Sequence, residues 1–106
     1  MVRWTTPTFT LTVKNVNLTG YQIYITIQQG SSVVTVNYAD VALNVVGENS
    51  ILTFTISQQD SAKFDFNNKA NVQVNGINSD NHRVATDIMQ IDVLANLIDR
   101  ELTYEI

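Results

Sequence analysis

Tyr21-Gln22-Ile23-Tyr24-Ile25-Thr26-Ile27 is the stretch that decides the fold. Tyr21, Ile23, Ile25 and Ile27 share one parity, and Gln22, Tyr24 and Thr26 share the other. That period of two is the signature of a half-buried β-strand, and the β-branched residues in it suit a pleated surface. Thr8 to Val13 repeats the pattern, with Phe9, Leu11 and Val13 facing one way and Thr8, Thr10 and Thr12 the other. Between the two, residues 15–20 read as a connection that tucks in Val16 and Leu18.

Downstream, Gly30-Ser31-Ser32 is a turn into a strand over Val33–Tyr38, and Asp40 opens the next corner. Val41–Val46 and Ile51–Ile56 flank Gly47-Glu48-Asn49, read as a three-residue hairpin loop with glycine free to take positive φ. In the second of these strands Leu52, Phe54 and Ile56 face inward. Ser57-Gln58-Gln59-Asp60 has the form of a capped helix start, Ser57 accepting from the Asp60 amide, with Ala62 and Phe64 pinning a turn or two over residues 58–64. Ala70, Val72 and Val74 then alternate with Asn71, Gln73 and Asn75, and Asn78-Ser79-Asp80-Asn81 supplies a turn. The final long strand, Val84 to Val93, changes parity between Val84/Ile88 and Met89/Ile91/Val93, so a bulge near Ile88-Met89 is expected. About seven short strands and one helical turn make an all-β fold, an antiparallel β-sandwich of immunoglobulin-like or similar type. The 106 residues form one domain, with candidate assembly arms at residues 1–6 and 100–106.

Composition narrows the function. With 44% hydrophobic and 15% charged residues, the chain can bury a core, but its surface is largely neutral and polar. The absence of cysteine excludes disulfides, thiolate metal sites and cysteine nucleophiles. The net charge of −4 comes from the C-terminal portion, where Asp87, Asp92, Asp99, Glu101 and Glu105 face only Arg100. Without a basic stripe, nucleic-acid binding is disfavoured. The start has no apolar stretch suited to a secretory signal, and no run approaches the roughly 20 residues of a membrane span. The expectation is a soluble protein made in the cytoplasm, with no nucleic-acid or membrane partner.

No catalytic, cofactor-binding or metal-ligating set emerges. His82 is the single histidine and sits beside a turn, where Ser79 and Asp80 are too local to build a triad with it. The Asp and Asn residues of 75–81 do not have calcium-loop spacing. The threonine rows read as solvent-facing strand positions, because an ordinary sheet twists too much for a flat ice-binding array. The chain is therefore expected not to be an enzyme and to need no cofactor.

Residues that could engage a partner are fewer and sharper. Tyr24 is an outward aromatic on a polar face. Trp4, just ahead of Pro7, is costly to leave in water. Beyond Val93, residues 100–106 begin a new alternation, with Leu102, Tyr104 and Ile106 on one face and Glu101, Thr103 and Glu105 on the other. An isolated amphipathic strand is unstable in water and needs a sheet edge, in its own domain or in a neighbour.

The succession of segments resembles small prophage-encoded virion proteins and the N-terminal domain of the phage baseplate upper protein family. The resemblance is carried by Thr6-Pro7-Thr8-Phe9-Thr10-Leu11, by residues 23–30 (IYITIQQG), by residues 56–64 (ISQQDSAKF), by Ala70-Asn71-Val72-Gln73-Val74, and by the region from Val84 to Val93. It spans nearly the whole chain, with no single diagnostic motif. It implies a non-catalytic structural or adaptor component of a tail or baseplate, made in the host cytoplasm and carried in the virion. Its partners would be tail or baseplate proteins, or further copies of itself. Longer members look as though they continue into fibrous and receptor-binding parts, so a chain stopping at Ile106 is expected to be a stand-alone adaptor. The competing class is a free-standing ligand-binding sandwich, such as a carbohydrate-binding module, for which the available aromatics are Trp4, Tyr24, Tyr38 and Tyr104.

Overall fold

The computed structural model describes residues 1–105, and those residues form two antiparallel sheets packed face to face. The strands are β1 (Thr8–Val13), β2 (Gln22–Gln29), β3 (Ser32–Val36), β4 (Ala42–Val46), β5 (Asn49–Thr55), β6 (Ala70–Ile77), β7 (Arg83–Ala85) and β8 (Met89–Ile91). One sheet has the order β1-β5-β4. The other runs β3-β2-β6-β7, with β8 also paired to β6. In this order the hairpins β2–β3 and β4–β5 lie in different sheets, and β1 and β6 each find partners distant in sequence. The pairing corresponds to that of an immunoglobulin sandwich, strands B, E and D opposite C′, C, F and G.

The core follows from strand parity. Ile23, Ile25 and Ile27 of β2, Ala70, Val72 and Val74 of β6, and Val34 and Val36 of β3 are buried beneath one sheet. Leu52 and Phe54 of β5 meet them from the other, with Phe9 of β1 stacked on Phe54 at 5.1 Å between ring centroids. Each fully buried Val, Leu, Ile or Phe among them contributes about 1.5–3 kcal/mol of transfer free energy. Gly76 lies on the same inward parity, and a Cβ there would come within 3.3 Å of the Tyr21 ring. The missing side chain lets Tyr21 close that end of the sandwich.

The helical turn is present where Ser57 caps it, its hydroxyl accepting from the Asp60 amide at 3.1 Å. It is shorter than the sequence implies and covers only Gln58–Ser61, because Phe64 turns into the core and is buried there. The β4–β5 loop is also shorter than read. Asn49 pairs with Val46, leaving Gly47 and Glu48 as a two-residue turn, with Gly47 at φ 61°. The strand expected over Val33–Tyr38 ends at Val36, since Asn37 caps a 3-10 turn over Tyr38–Asp40 that carries the chain across to the other sheet.

The change of parity after Val84 has the anticipated cause, with one difference. Ala85 stands opposite Asn75 and Met89 opposite Val72, so residues 86–88 face only residues 73 and 74 of β6. One extra residue is present, as a bulge requires, but it interrupts the strand and leaves β7 and β8 as separate pieces. Thr86 holds the break together. Its amide donates to the Val74 carbonyl at 2.9 Å, while its hydroxyl accepts from the Val74 amide at 3.1 Å. Replacing Thr86 by Val would keep the shape and leave the amide of buried Val74 unpaired, a cost of about 1–3 kcal/mol. Chemical denaturation of Thr86→Val is expected to show that loss with an unchanged β-type circular dichroism spectrum, whereas Thr86→Ser retains most of the stability. Equal stability of Thr86→Val and the parent would remove the hydroxyl from this role.

Candidate assembly surface

Residues 1–5 and the segment from Asp92 to Leu102 meet on one side of the sandwich, beside the helical turn. The N-terminal residues are bound into the domain. Val2 forms a parallel bridge with Leu94, the Arg3 amide donates to the Leu94 carbonyl at 3.0 Å, and the Leu94 amide donates to the Met1 carbonyl at 2.7 Å. Arg3 is the hub of the arrangement. Its guanidinium reaches the Asp99 carboxylate at 2.9 Å and the Ala62 carbonyl at 3.1 Å, while its own carbonyl accepts from the Asn96 side chain. Buried Ser61 completes the lock, since its hydroxyl accepts from the Thr5 amide and donates to the Thr5 carbonyl. Residues 1–5 are thus paired with their own chain instead of standing free as an arm.

The segment after Asp99 is held differently. Gln58 turns its side-chain amide on Leu102, its Nε2 donating to the Leu102 carbonyl at 2.7 Å and its Oε1 accepting from the Leu102 amide at 2.9 Å. This two-bond geometry imitates one rung of a β-ladder. Gln59 adds a bond to the Glu101 carboxylate. Residues 101–105 nevertheless join no sheet in their own domain. Leu97 is fully exposed, Tyr104 is 94% exposed, and Leu102 and Ile98 are each 48% exposed. Beside them the carboxylates of Glu101 and Glu105 keep the segment soluble and discourage indiscriminate strand pairing.

The residues singled out in the sequence are therefore dispersed. Leu102 and Tyr104 lie together on the C-terminal segment, and Ile106 falls outside the described residues. Trp4 is half-buried at a positive φ of 62°, with its indole Nε1 enclosed and without an acceptor among the described residues. It packs partly within the domain and leaves only part of its ring exposed. Tyr24 lies on another face, the outer side of β2, with Tyr38 edge-on to it at 5.8 Å. His82 is exposed in the Asn78–Asn81 turn, where its amide donates to the Asn78 side chain. Among the described residues no three His, Cys, Asp or Glu side chains gather as a metal site, and no helix is long and apolar enough to cross a membrane.

Gln58, Arg3 and Ser61, which fasten the two ends, carry no local sequence signal of that role. Ser57 and Ser61 both look like ordinary members of a short capped turn, and an arginine near a terminus usually faces water. No protein-family model matches the chain, and no curated protein matches it.

Two expectations test this description. Ser61→Ala leaves the main-chain groups of Thr5 without their partner and should cost about 1–3 kcal/mol. Hydrogen exchange at the Arg3 and Leu94 amides should accelerate in that variant more than exchange in β2. Uniform acceleration throughout would mean that Ser61 serves the core and not the N-terminal lock. His82→Ala, at an exposed turn, should change stability by less than about 0.5 kcal/mol, and a chelator should leave the melting temperature unmoved. A large drop under either treatment would reveal a site at that turn.

Proposed function

We propose that this protein is a non-catalytic structural or adaptor component of a phage tail or baseplate, acting through protein–protein contacts. The observation that carries the reading is the C-terminal segment, where an alternating sequence lies at the domain surface outside any sheet, with Leu102 half exposed and Tyr104 almost fully so. A surface segment that belongs to no sheet, with only the main chain of Leu102 engaged on both its N–H and its carbonyl by a side chain, is suited to joining the sheet of a neighbouring subunit. Main-chain bonds would supply affinity there, and the alternate side chains Leu102 and Tyr104 would supply specificity. The resemblance to prophage virion proteins supports the same assignment, since such components bind one another instead of turning over substrate.

In this reading the Gln58–Leu102 pair presets the segment. Fixing residue 102 in place before docking lowers the ordering cost of binding. The N-terminal braid and the Arg3–Asp99 ion pair fix the point from which the segment departs.

The test is removal of residues 100–106, followed by light scattering over a range of concentrations and by thermal melting. The segment's bonds are exposed, so the truncated chain should lose no more than about 1 kcal/mol, a shift of roughly 4–8 °C for a domain of this size. Association, whether with copies of itself or with co-expressed tail proteins, should fail. A truncated chain that assembles as before but melts much earlier would make the segment part of its own fold and defeat the proposal.

A further inference from the structure

We propose that the outer face of the five-stranded sheet is a binding groove for a neutral oligosaccharide. The groove lies apart from the C-terminal segment, and the inference stands or falls independently of the assembly reading. Its floor comes from the outward parity of neighbouring strands. Register places Tyr24 opposite Asn75, sets Thr26 between Thr35 and Gln73, and puts Gln28 opposite Asn71. Around Tyr24, Thr26, Thr35, Asn75 and Arg83 the surface dips into a depression of about 300 Å³, near the lower end of the range for small-molecule sites. Thr26 also borders a second depression of about 100 Å³, floored by Gln28, Asn71 and Gln73. From Tyr24 to Gln28 the floor extends about 13 Å along the strand.

Its chemistry is selective. A solvated sheet face ordinarily carries lysines and glutamates, but among the residues lining these two depressions only Arg83 bears a charge. The rest of the polar lining is amide and hydroxyl. Each of those groups can both donate and accept, which matches the hydroxyls of a pyranose ring, themselves donors and acceptors at once. A single guanidinium is too little positive charge to hold a polyanion such as nucleic acid. A peptide strand would be expected at a sheet edge, where main-chain groups are free, and not across a sheet face.

Two features fix the groove in advance of binding. Tyr24 is half-buried and held in a T-shaped contact with Tyr38 at 5.8 Å and 69°, which gives a rigid ring against which the C–H face of a sugar can pack. The amides are tethered at one end. Arg83 Nη2 donates to Asn75 Oδ1 at 3.1 Å, leaving Asn75 Nδ2 as a donor, and Gln73 Nε2 donates to the Thr86 carbonyl at 2.9 Å, leaving Gln73 Oε1 as an acceptor. A tethered amide loses less freedom on binding than a loose one. The same Thr86 that bridges the bulge therefore also helps to hold the groove.

The experiment uses the full chain, labelled with nitrogen-15 and titrated with maltotriose, cellotriose and chitotriose, after a screen on an array of neutral mammalian and bacterial glycans. Binding to at least one neutral glycan is expected, with amide shifts concentrated at Tyr24, Thr26, Gln73 and Asn75. Tyr24→Ala and Asn75→Ala should each weaken that binding at least about tenfold, or 1.4 kcal/mol. Both should keep the parent spectrum elsewhere, and Thr10→Ala on the opposite sheet should bind as the parent does. If Tyr24→Ala perturbs folding, Asn75→Ala decides alone, because Asn75 lacks the ring packing. Absence of binding across the array and the three sugars overturns the proposal. So does binding that persists in both groove variants, or shifts that map to residues 97–105.

Discussion

The antiparallel pairing of β2 with β6 is the interaction on which the rest of the sandwich depends. It joins residues 22–28 to residues 71–77, and its inner side is the driest part of the molecule, with Ile25 and Ile27 fully buried beside Val72 and Val74. Every other member of that sheet is attached through one of these two strands: β3 to β2, and β7 and β8 to β6. The pairing also dictates what happens between them. The β4–β5 hairpin must leave the sheet, cross over and cover the apolar face that β2 and β6 create. Closing so long a loop carries an entropy cost before any contact compensates it, which makes this long-range pairing a slow step for a domain without disulfides.

Around that centre, side chains repeatedly stand in for missing strand partners. Ser50 is fully buried and joins the Leu18 amide to the Val16 carbonyl, fastening the β1–β2 connection to β5. Gln29 does the same for the segment after the helical turn, bonding the Asp65 amide and the Asp65 and Asn68 carbonyls. Thr86 bridges the bulge, Ser61 holds Thr5, and Gln58 holds Leu102. A surface poor in charge and rich in Ser, Thr, Asn and Gln has this structural consequence. Neutral groups that donate and accept can replace a backbone neighbour, which a lysine or glutamate cannot do at both ends. Irregular segments then remain satisfied without further strands.

The two proposed activities use opposite properties of that surface. The C-terminal segment offers exposed apolar side chains and a main chain that joins no sheet, suited to another protein. The groove over β2 and β6 offers fixed neutral polar groups beside an aromatic ring, suited to hydroxyls. They lie on different parts of the sandwich, so an assembled particle could keep the groove open while the segment is buried.

Much of the architecture was legible along the chain because strand parity is written locally. Tyr21–Ile27 shows which side chains enter the core without reference to any partner, Ser57 announces its cap, and the parity change between Val84 and Met89 reports one extra residue. The reading that Leu102 and Tyr104 share one face of an alternating segment has the same local origin. Pairing partners, by contrast, were not legible. Nothing near Arg3 names Asp99 and Ala62, nothing near Gln58 names Leu102, and nothing near Val2 names Leu94. The groove was equally hidden, since Tyr24, Thr35, Asn75 and Arg83 belong to four strands and only their register makes them neighbours. Periodicity determines which way a side chain points. What it points at is decided by long-range packing, because a hydrogen bond between residues tens of positions apart leaves no local trace in the sequence.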